Sequence, residues 1–180
     1  NLAPRMQTSF PRHLQSLGYQ TIAIYPVEGN YLHARQAYRY YGFEHFLATE
    51  ELGLTKGWLS TRDDQLFSKA LEHLATIRDG RPVFIFLLTI RNHGPHAETR
   101  QALPPTLAPE LGSLPPPLAD YLHRMRESEL AMKQLSEQWL AETSPRVILW
   151  FGDHQPLFAA RAQTNGDYAR KHFERAPTNT

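Results

Sequence analysis

Gly152-Asp153-His154 sets a carboxylate beside an imidazole directly after an apolar run. Aspartate offers a hard oxygen donor and neutral histidine a nitrogen donor, a pairing that suits Zn2+ or Mn2+. The glycine lets the backbone turn tightly enough for both side chains to face one ion. Two ligands do not close a site, so others must come from elsewhere. The same residues also fit a plain turn in which Asp153 caps a helix and His154 is merely exposed. A second cluster is Arg91-Asn92-His93-Gly94-Pro95-His96. His93 has the chemistry of an acid, a base, a ligand or a donor to a phosphate oxygen. Asn, Gly and Pro equally make an ordinary turn, and His96 is assigned no role. A third cluster holds Glu28, His33 and Arg35. Arg35 falls near the start of a predicted helix, where a cation is not electrostatically favoured. That placement points to pairing with an anion, and a guanidinium matches phosphate with two parallel hydrogen bonds. A solvated surface arginine is the other reading. Glu129 interrupts the apolar face of a long helix and is assigned no catalytic role.

The elements that must position these residues are legible as apolar patterns. Val83 to Thr89 is continuously apolar and rich in β-formers, Arg146 to Phe151 follows Pro145 and stops at Gly152, and Gln20 to Tyr25 is a shorter candidate ending at Pro26. Unbroken runs predict strands of a parallel sheet covered on both faces. Helices are expected between them. Pro11 to Leu17 is closed by Gly18, and Leu32 to Tyr41 by Gly42. Arg62 to Ile77 has Thr61 as the expected N-cap, with Asp63 and Asp64 in the positively polarised first turn. Leu66, Phe67, Ala70, Leu71 and Leu74 share one stripe of that helix. Leu118 to Ala141 forms a further, long helix. The alternation predicts an α/β layered domain with a largely parallel sheet. Each polar cluster directly follows a strand. In a parallel sheet the strand C-termini share one edge, where open α/β sheets bind ligands. The three clusters are therefore expected to converge there. Asn92 to Pro117 is a long loop with seven prolines, a length that in compact domains usually marks function or disorder. The tail after about residue 158 shows weak periodicity.

Composition narrows the field. The chain has 180 residues, 41% hydrophobic and 21% charged, which suits one soluble globular domain with a real core. The formal net charge is +1, and no Lys/Arg run is interleaved with aromatics, so nucleic acid is not an expected partner. The absence of cysteine excludes disulfides, thiolate catalysis and Cys-type zinc sites. No apolar run approaches the roughly 20 residues that span a bilayer. The first residue is Asn rather than Met, so any membrane anchor is expected outside this chain. A plain α/β hydrolase fails for want of Gly-x-Ser-x-Gly.

Taken in order, Leu17-Gly18-Tyr19-Gln20-Thr21-Ile22-Ala23-Ile24, then Arg35 through Tyr41-Gly42-Phe43-Glu44-His45-Phe46, then Asn92-His93-Gly94-Pro95, then Phe151-Gly152-Asp153-His154-Gln155-Pro156 resemble a known family. It is the sulfatase superfamily, in its lipoteichoic-acid synthase and phosphoglycerol transferase branch. The related phosphoethanolamine transferases share the scaffold. The resemblance covers about residues 10 to 156.

The resemblance implies an alkaline-phosphatase-like α/β/α fold, incomplete here, with residues 1–180 forming part of one catalytic domain. It implies a threonine nucleophile and a first metal-binding glutamate on upstream segments outside this chain. Asp153 and His154 would hold a divalent metal, commonly Mn2+, with Zn2+ or Mg2+ as alternatives. His93, Arg35, Glu28 and His33 would meet the substrate head group. His33 and Ala34 stand where many family members carry an aromatic residue and an Asn, which leaves the head group open. The partners implied are a phospholipid head group and a glycan or lipid acceptor. The implied location is the extracytoplasmic face of a bacterial cytoplasmic membrane, reached through an anchor outside this chain. The alternatives are a truncated, non-catalytic relative that binds anionic head groups, or a sulfatase or phosphodiesterase that hydrolyses such esters.

Overall fold

A computed structural model describes residues 7–97, 109, 112–154 and 156. The chain divides into two compact units, Asn1–Arg91 and Asn92–Thr180. The first is built on a three-stranded sheet: β1 (Gln20–Ile24), β2 (His45–Leu47) and β3 (Val83–Leu87), in the order β2-β1-β3. Both pairings are parallel, with Ile22 opposite His45 and opposite Ile85. Around the sheet lie α1 (Phe10–Ser16), a 3-10 turn (Tyr31–His33), α2 (Ala34–Tyr41), α3 (Thr49–Leu52) and α4 (Asp63–Ile77).

Alternation along the central strand shows how the layers form. Every residue of β1 is buried, so both of its faces are covered. Thr21 Oγ1 accepts from Gln15 Nε2 of α1 at 3.0 Å, while Gln20 Nε2 donates to Ile77 O at the end of α4 at 2.8 Å. Successive side chains of a strand point to opposite faces, so α1 and α4 cover opposite sides. On the Thr21 side, Phe84 of β3 meets Phe10 edge-to-face at 5.2 Å, and Phe86 lies 6.0 Å from Tyr38 of α2. The expected α/β/α layering with a parallel sheet is therefore present in this unit.

Local sequence accounts for the helix boundaries. Ser9 caps α1, its hydroxyl accepting from Arg12 N at 3.3 Å. Gly42 ends α2 at φ 95°, a left-handed conformation suited to glycine. α4 begins at Asp63 with Arg62 as its N-cap, one residue later than expected, and Thr61 is buried instead. The extended Arg62 backbone (φ −85°, ψ 151°) sets that boundary. Asp63 and Asp64 occupy the first turn as predicted, and Leu66, Phe67, Ala70 and Leu74 are buried. β2 and α3 were not foreseen; at three and four residues they are too short for a periodic signal.

The second unit is organised by α5 (Pro116–Leu140), as the apolar pattern foretold. The expected strand at 146–151 does not form. Those residues have no regular structure, and Val147 and Leu149 are 90% and 81% exposed. A run of β-formers becomes a strand only when its N–H and C=O groups find a neighbouring ladder. Among the described residues it has none. Half of the proline-rich loop and the tail after residue 158 lie outside the described residues. No helix among those described is long and apolar enough to cross a membrane.

Candidate functional site

In the second unit the structure brings His93 to the Gly-Asp-His segment. The rings of His93 and His154 meet edge-to-face, 6.0 Å between centres. His154 N donates to Asp153 Oδ1 at 2.9 Å, and His154 Nε2 lies 3.6 Å from Asp153 Oδ2. Both side chains are exposed. Two donors at that separation could both reach one divalent ion. The pair thus fits the oxygen-plus-nitrogen half of a metal site. Among the described residues no group of three or more potential ligands forms. His93 Nδ1 lies 2.8 Å from Gly94 O. A carbonyl only accepts, so Nδ1 carries the proton and a neutral His93 presents Nε2 as an acceptor.

A polar stripe on α5 fixes the loop that carries His93. Asp120, Arg124 and Ser128 recur every four residues and therefore share one helix face. Ser128 Oγ accepts from Asn92 Nδ2 at 3.1 Å. Arg124 Nη1 donates to His93 O at 3.3 Å. Asp120 Oδ2 accepts from Ala97 N at 3.1 Å and from Arg124 Nη2 at 2.8 Å, and Oδ1 from Arg124 Nε at 3.2 Å. His96 packs edge-to-face on Tyr121 at 5.3 Å, with Nδ1 3.4 Å from Asp120 Oδ2. That nitrogen is close enough to feel the carboxylate's charge. Burial, and then the Arg124 charge, hold His96 below its ordinary value despite the attraction of Asp120. The sequence reading assigned these residues nothing, although the four-residue spacing of Asp120, Arg124 and Ser128 was a visible signal.

In the first unit Glu28, His33 and Arg35 follow β1. Glu28 O accepts from Tyr31 N at 2.9 Å, opening the 3-10 turn. Leu32 (φ 50°) and His33 (φ 57°) are consecutive left-handed residues without glycine's freedom. Each costs about 1–2 kcal/mol, strain of a kind that concentrates at functional sites. His33 is exposed there. The anion that Arg35 was expected to meet is, in the structure, a carboxylate of α3. Its Nη2 lies 2.9 Å from Glu51 Oε1 and 3.1 Å from Oε2, with Glu50 Oε2 at 3.9 Å. Its guanidinium carbon also lies 5.1 Å from the centre of the Phe46 ring, within cation–π range. Burial alone would raise the Glu51 carboxyl, but hydrogen bonds from Arg35 and Ala48 N and the Arg35 charge outweigh it and hold it below its usual value. Glu50 and Glu51 could not be singled out from sequence, because only the turn between β1 and α2 brings Arg35 to them.

Comparison with known proteins places these residues in a wider frame. A family model described as Sulfatase matches residues 1–178. An uncharacterized protein of Haemophilus influenzae is 28% identical over 185 residues, covering 96% of this chain and 33% of that protein. The capsular polysaccharide biosynthesis protein RkpI of Rhizobium meliloti is 24% identical over 166 residues, covering 91% of this chain and 29% of its own. Among solved structures, the lipoteichoic acid synthase LtaP from Listeria monocytogenes shares the fold with a TM-score of 0.58 at 18% identity. That match covers 77% of this chain and 34% of LtaP. The chain thus spans about a third of the length of such proteins.

Proposed function

The chain belongs to the sulfatase family, and on that premise we propose that it is part of a metal-dependent transferase. The group moved is of the phosphoglycerol or phosphoethanolamine type, from a lipid to a glycan or lipid acceptor. The reaction is placed on the extracytoplasmic face of a bacterial cytoplasmic membrane. The observation that carries this reading is the family match along residues 1–178, joined to the ordered motifs around Arg35, His93 and Asp153-His154. The Rhizobium relative's name, a capsular polysaccharide biosynthesis protein, favours an acceptor in the cell envelope.

Each residue has a distinct task in this reading. Asp153 and His154 supply an oxygen and a nitrogen donor to a divalent ion, Mn2+ in the first instance, with Zn2+ or Mg2+ as alternatives. Such an ion, when bound, polarises a phosphoryl oxygen and lowers the pKa of a coordinated hydroxyl. Arg35 and His93 bind the head group, with Glu28 and His33 beside Arg35 in sequence. Phosphoryl transfer spreads negative charge over non-bridging oxygens, and fixed cations stabilise it without reorganising. A neutral His93 with its proton on Nδ1 accepts at Nε2. That suits a head group bearing donors, such as a glycerol hydroxyl or an ethanolamine ammonium. The stripe of Asp120, Arg124 and Ser128 holds its loop in place. The nucleophile is assigned to a segment outside this chain.

The test is metal content and kcat/KM of the full-length protein carrying single substitutions. Asp153→Ala and His154→Ala should lose metal and activity together. Arg35→Ala and His93→Ala should keep the metal; Arg35→Ala should lose about 2–4 kcal/mol of transition-state stabilisation, by analogy with removing one oxyanion donor, and His93→Ala should weaken head-group binding, read in KM. Arg35→Lys should recover only part, because an ammonium cannot make the paired contact. Full metal and full rate in Asp153→Ala would make Gly-Asp-His an ordinary turn and end this assignment.

A further inference from the structure

Gly29 lies between β1 and the 3-10 turn with both backbone groups engaged. Its N–H donates to Glu50 Oε1 and Oε2, each at 3.1 Å, and its carbonyl accepts from Arg35 N at 2.8 Å. Its φ is outside the left-handed range, so conformation does not demand glycine here. Space does. A Cβ at this position would sit 2.8 Å from the Arg35 guanidinium carbon and 2.9 Å from Nε, well inside van der Waals contact. No backbone stands in the way, so an added side chain would displace the flexible end of Arg35 from its place.

We infer that Gly29 is a positioning residue for Arg35, with Glu51 as the carboxylate that holds the guanidinium over it. The inference rests on the reading of Arg35 as a head-group ligand and deepens it. Arg35 is a long side chain, 40% exposed, and would otherwise sample many rotamers. Three features confine it: the bare Gly29 backbone beside it, the Phe46 ring 5.1 Å from its centre, and Glu51 2.9 Å from Nη2. Glu51 is itself fixed, since its Oε2 accepts from Ala48 N at 2.9 Å. Among the described residues the hydrogen bond from Arg35 to Glu51 and the closest approach to Glu50 both use Nη2. A phosphate oxygen can be received by a guanidinium already held in one orientation, and preorganisation of this kind is what a tight anion contact requires.

The decisive experiment is a double-mutant cycle in the full-length protein, with Gly29→Ala, Arg35→Ala and their combination. The readouts are Tm and kcat/KM on a fluorescent phosphatidylglycerol in mixed micelles with Mn2+. Gly29→Ala should cut kcat/KM roughly 10- to 100-fold, the scale of a misplaced ligand, chiefly through KM. It should also lower Tm. In the Arg35→Ala background, where the clash no longer exists, Gly29→Ala should change neither kcat/KM nor Tm. A purely backbone role for Gly29 would give the same loss in both backgrounds and overturn the inference. So would a wild-type rate for Gly29→Ala beside a large loss for Arg35→Ala. A wild-type rate for Arg35→Ala would overturn the head-group reading, and this inference with it.

Discussion

Asp120→Ala is the most informative perturbation of the second unit. The Asp120 carboxylate accepts from Ala97 N at 3.1 Å and from Arg124 Nε and Nη2 at 3.2 and 2.8 Å. The two side chains are only 10% and 12% exposed. Removing one partner of a buried pair costs about 3–5 kcal/mol, because the other charge stays in a poorly solvated place. Here Arg124 keeps its bond to His93 O at 3.3 Å and some access to water, so the expected loss is at the low end, about 3 kcal/mol. Asp120→Asn keeps an acceptor for Ala97 N and loses the charge, so it should cost about 1.5 kcal/mol. Hydrogen exchange on the full-length protein reads this locally. At about 1.4 kcal/mol per decade, protection of the Ala97 amide should fall roughly 100-fold in Asp120→Ala. His96 gives an independent sign. Losing the Asp120 attraction should push its pKa further below the ordinary 6.5, whereas Arg124→Ala should raise it, and NMR titration separates the two. Unchanged Ala97 protection, or a His96 pKa that rises in Asp120→Ala, would refute the clamp.

Leu66 is fully buried in α4, and Leu66→Ala should cost about 3 kcal/mol in urea unfolding; a loss below about 1 kcal/mol would mean that the helix does not seal the core. Gly42→Ala meets a left-handed φ of 95° and the Arg12 side chain together, so a loss of about 2 kcal/mol is expected in the same assay. The Glu51 carboxyl is held below its ordinary value, so its contribution is fully present above the unfolded value near 4.3 and fades as pH falls through the lower folded value. The Tm gap between wild type and Glu51→Gln should therefore be largest near neutral pH and shrink below about pH 4; a gap that widens in acid would contradict the Arg35–Glu51 pairing.

The sequence alone determined the α/β class, β1 and β3, the four longer helices and the order of the family motifs. Those features rest on local physics: apolar period, capping residues and the glycines that end helices. The buried residues of β1 and the stripe Leu66, Phe67, Ala70 and Leu74 lie where that period puts them. Tertiary structure decided the rest. Arg146 to Phe151 reads as a strand, yet it has no regular structure and Val147 and Leu149 are exposed, because a strand exists only where a neighbouring strand completes its backbone hydrogen bonds. His45 to Leu47 is too short to read and is a strand because β1 is alongside it. The same holds at the candidate site. Residue types marked Arg35, His93, Asp153 and His154 as chemically able, but the groups that hold the Arg35 guanidinium and the His93 backbone are remote in sequence. Glu51 reaches Arg35 across 16 residues, and Arg124 reaches His93 O across 31. Side-chain chemistry is written residue by residue, whereas the charge and hydrogen bonds that orient each group come from whatever the fold packs against it.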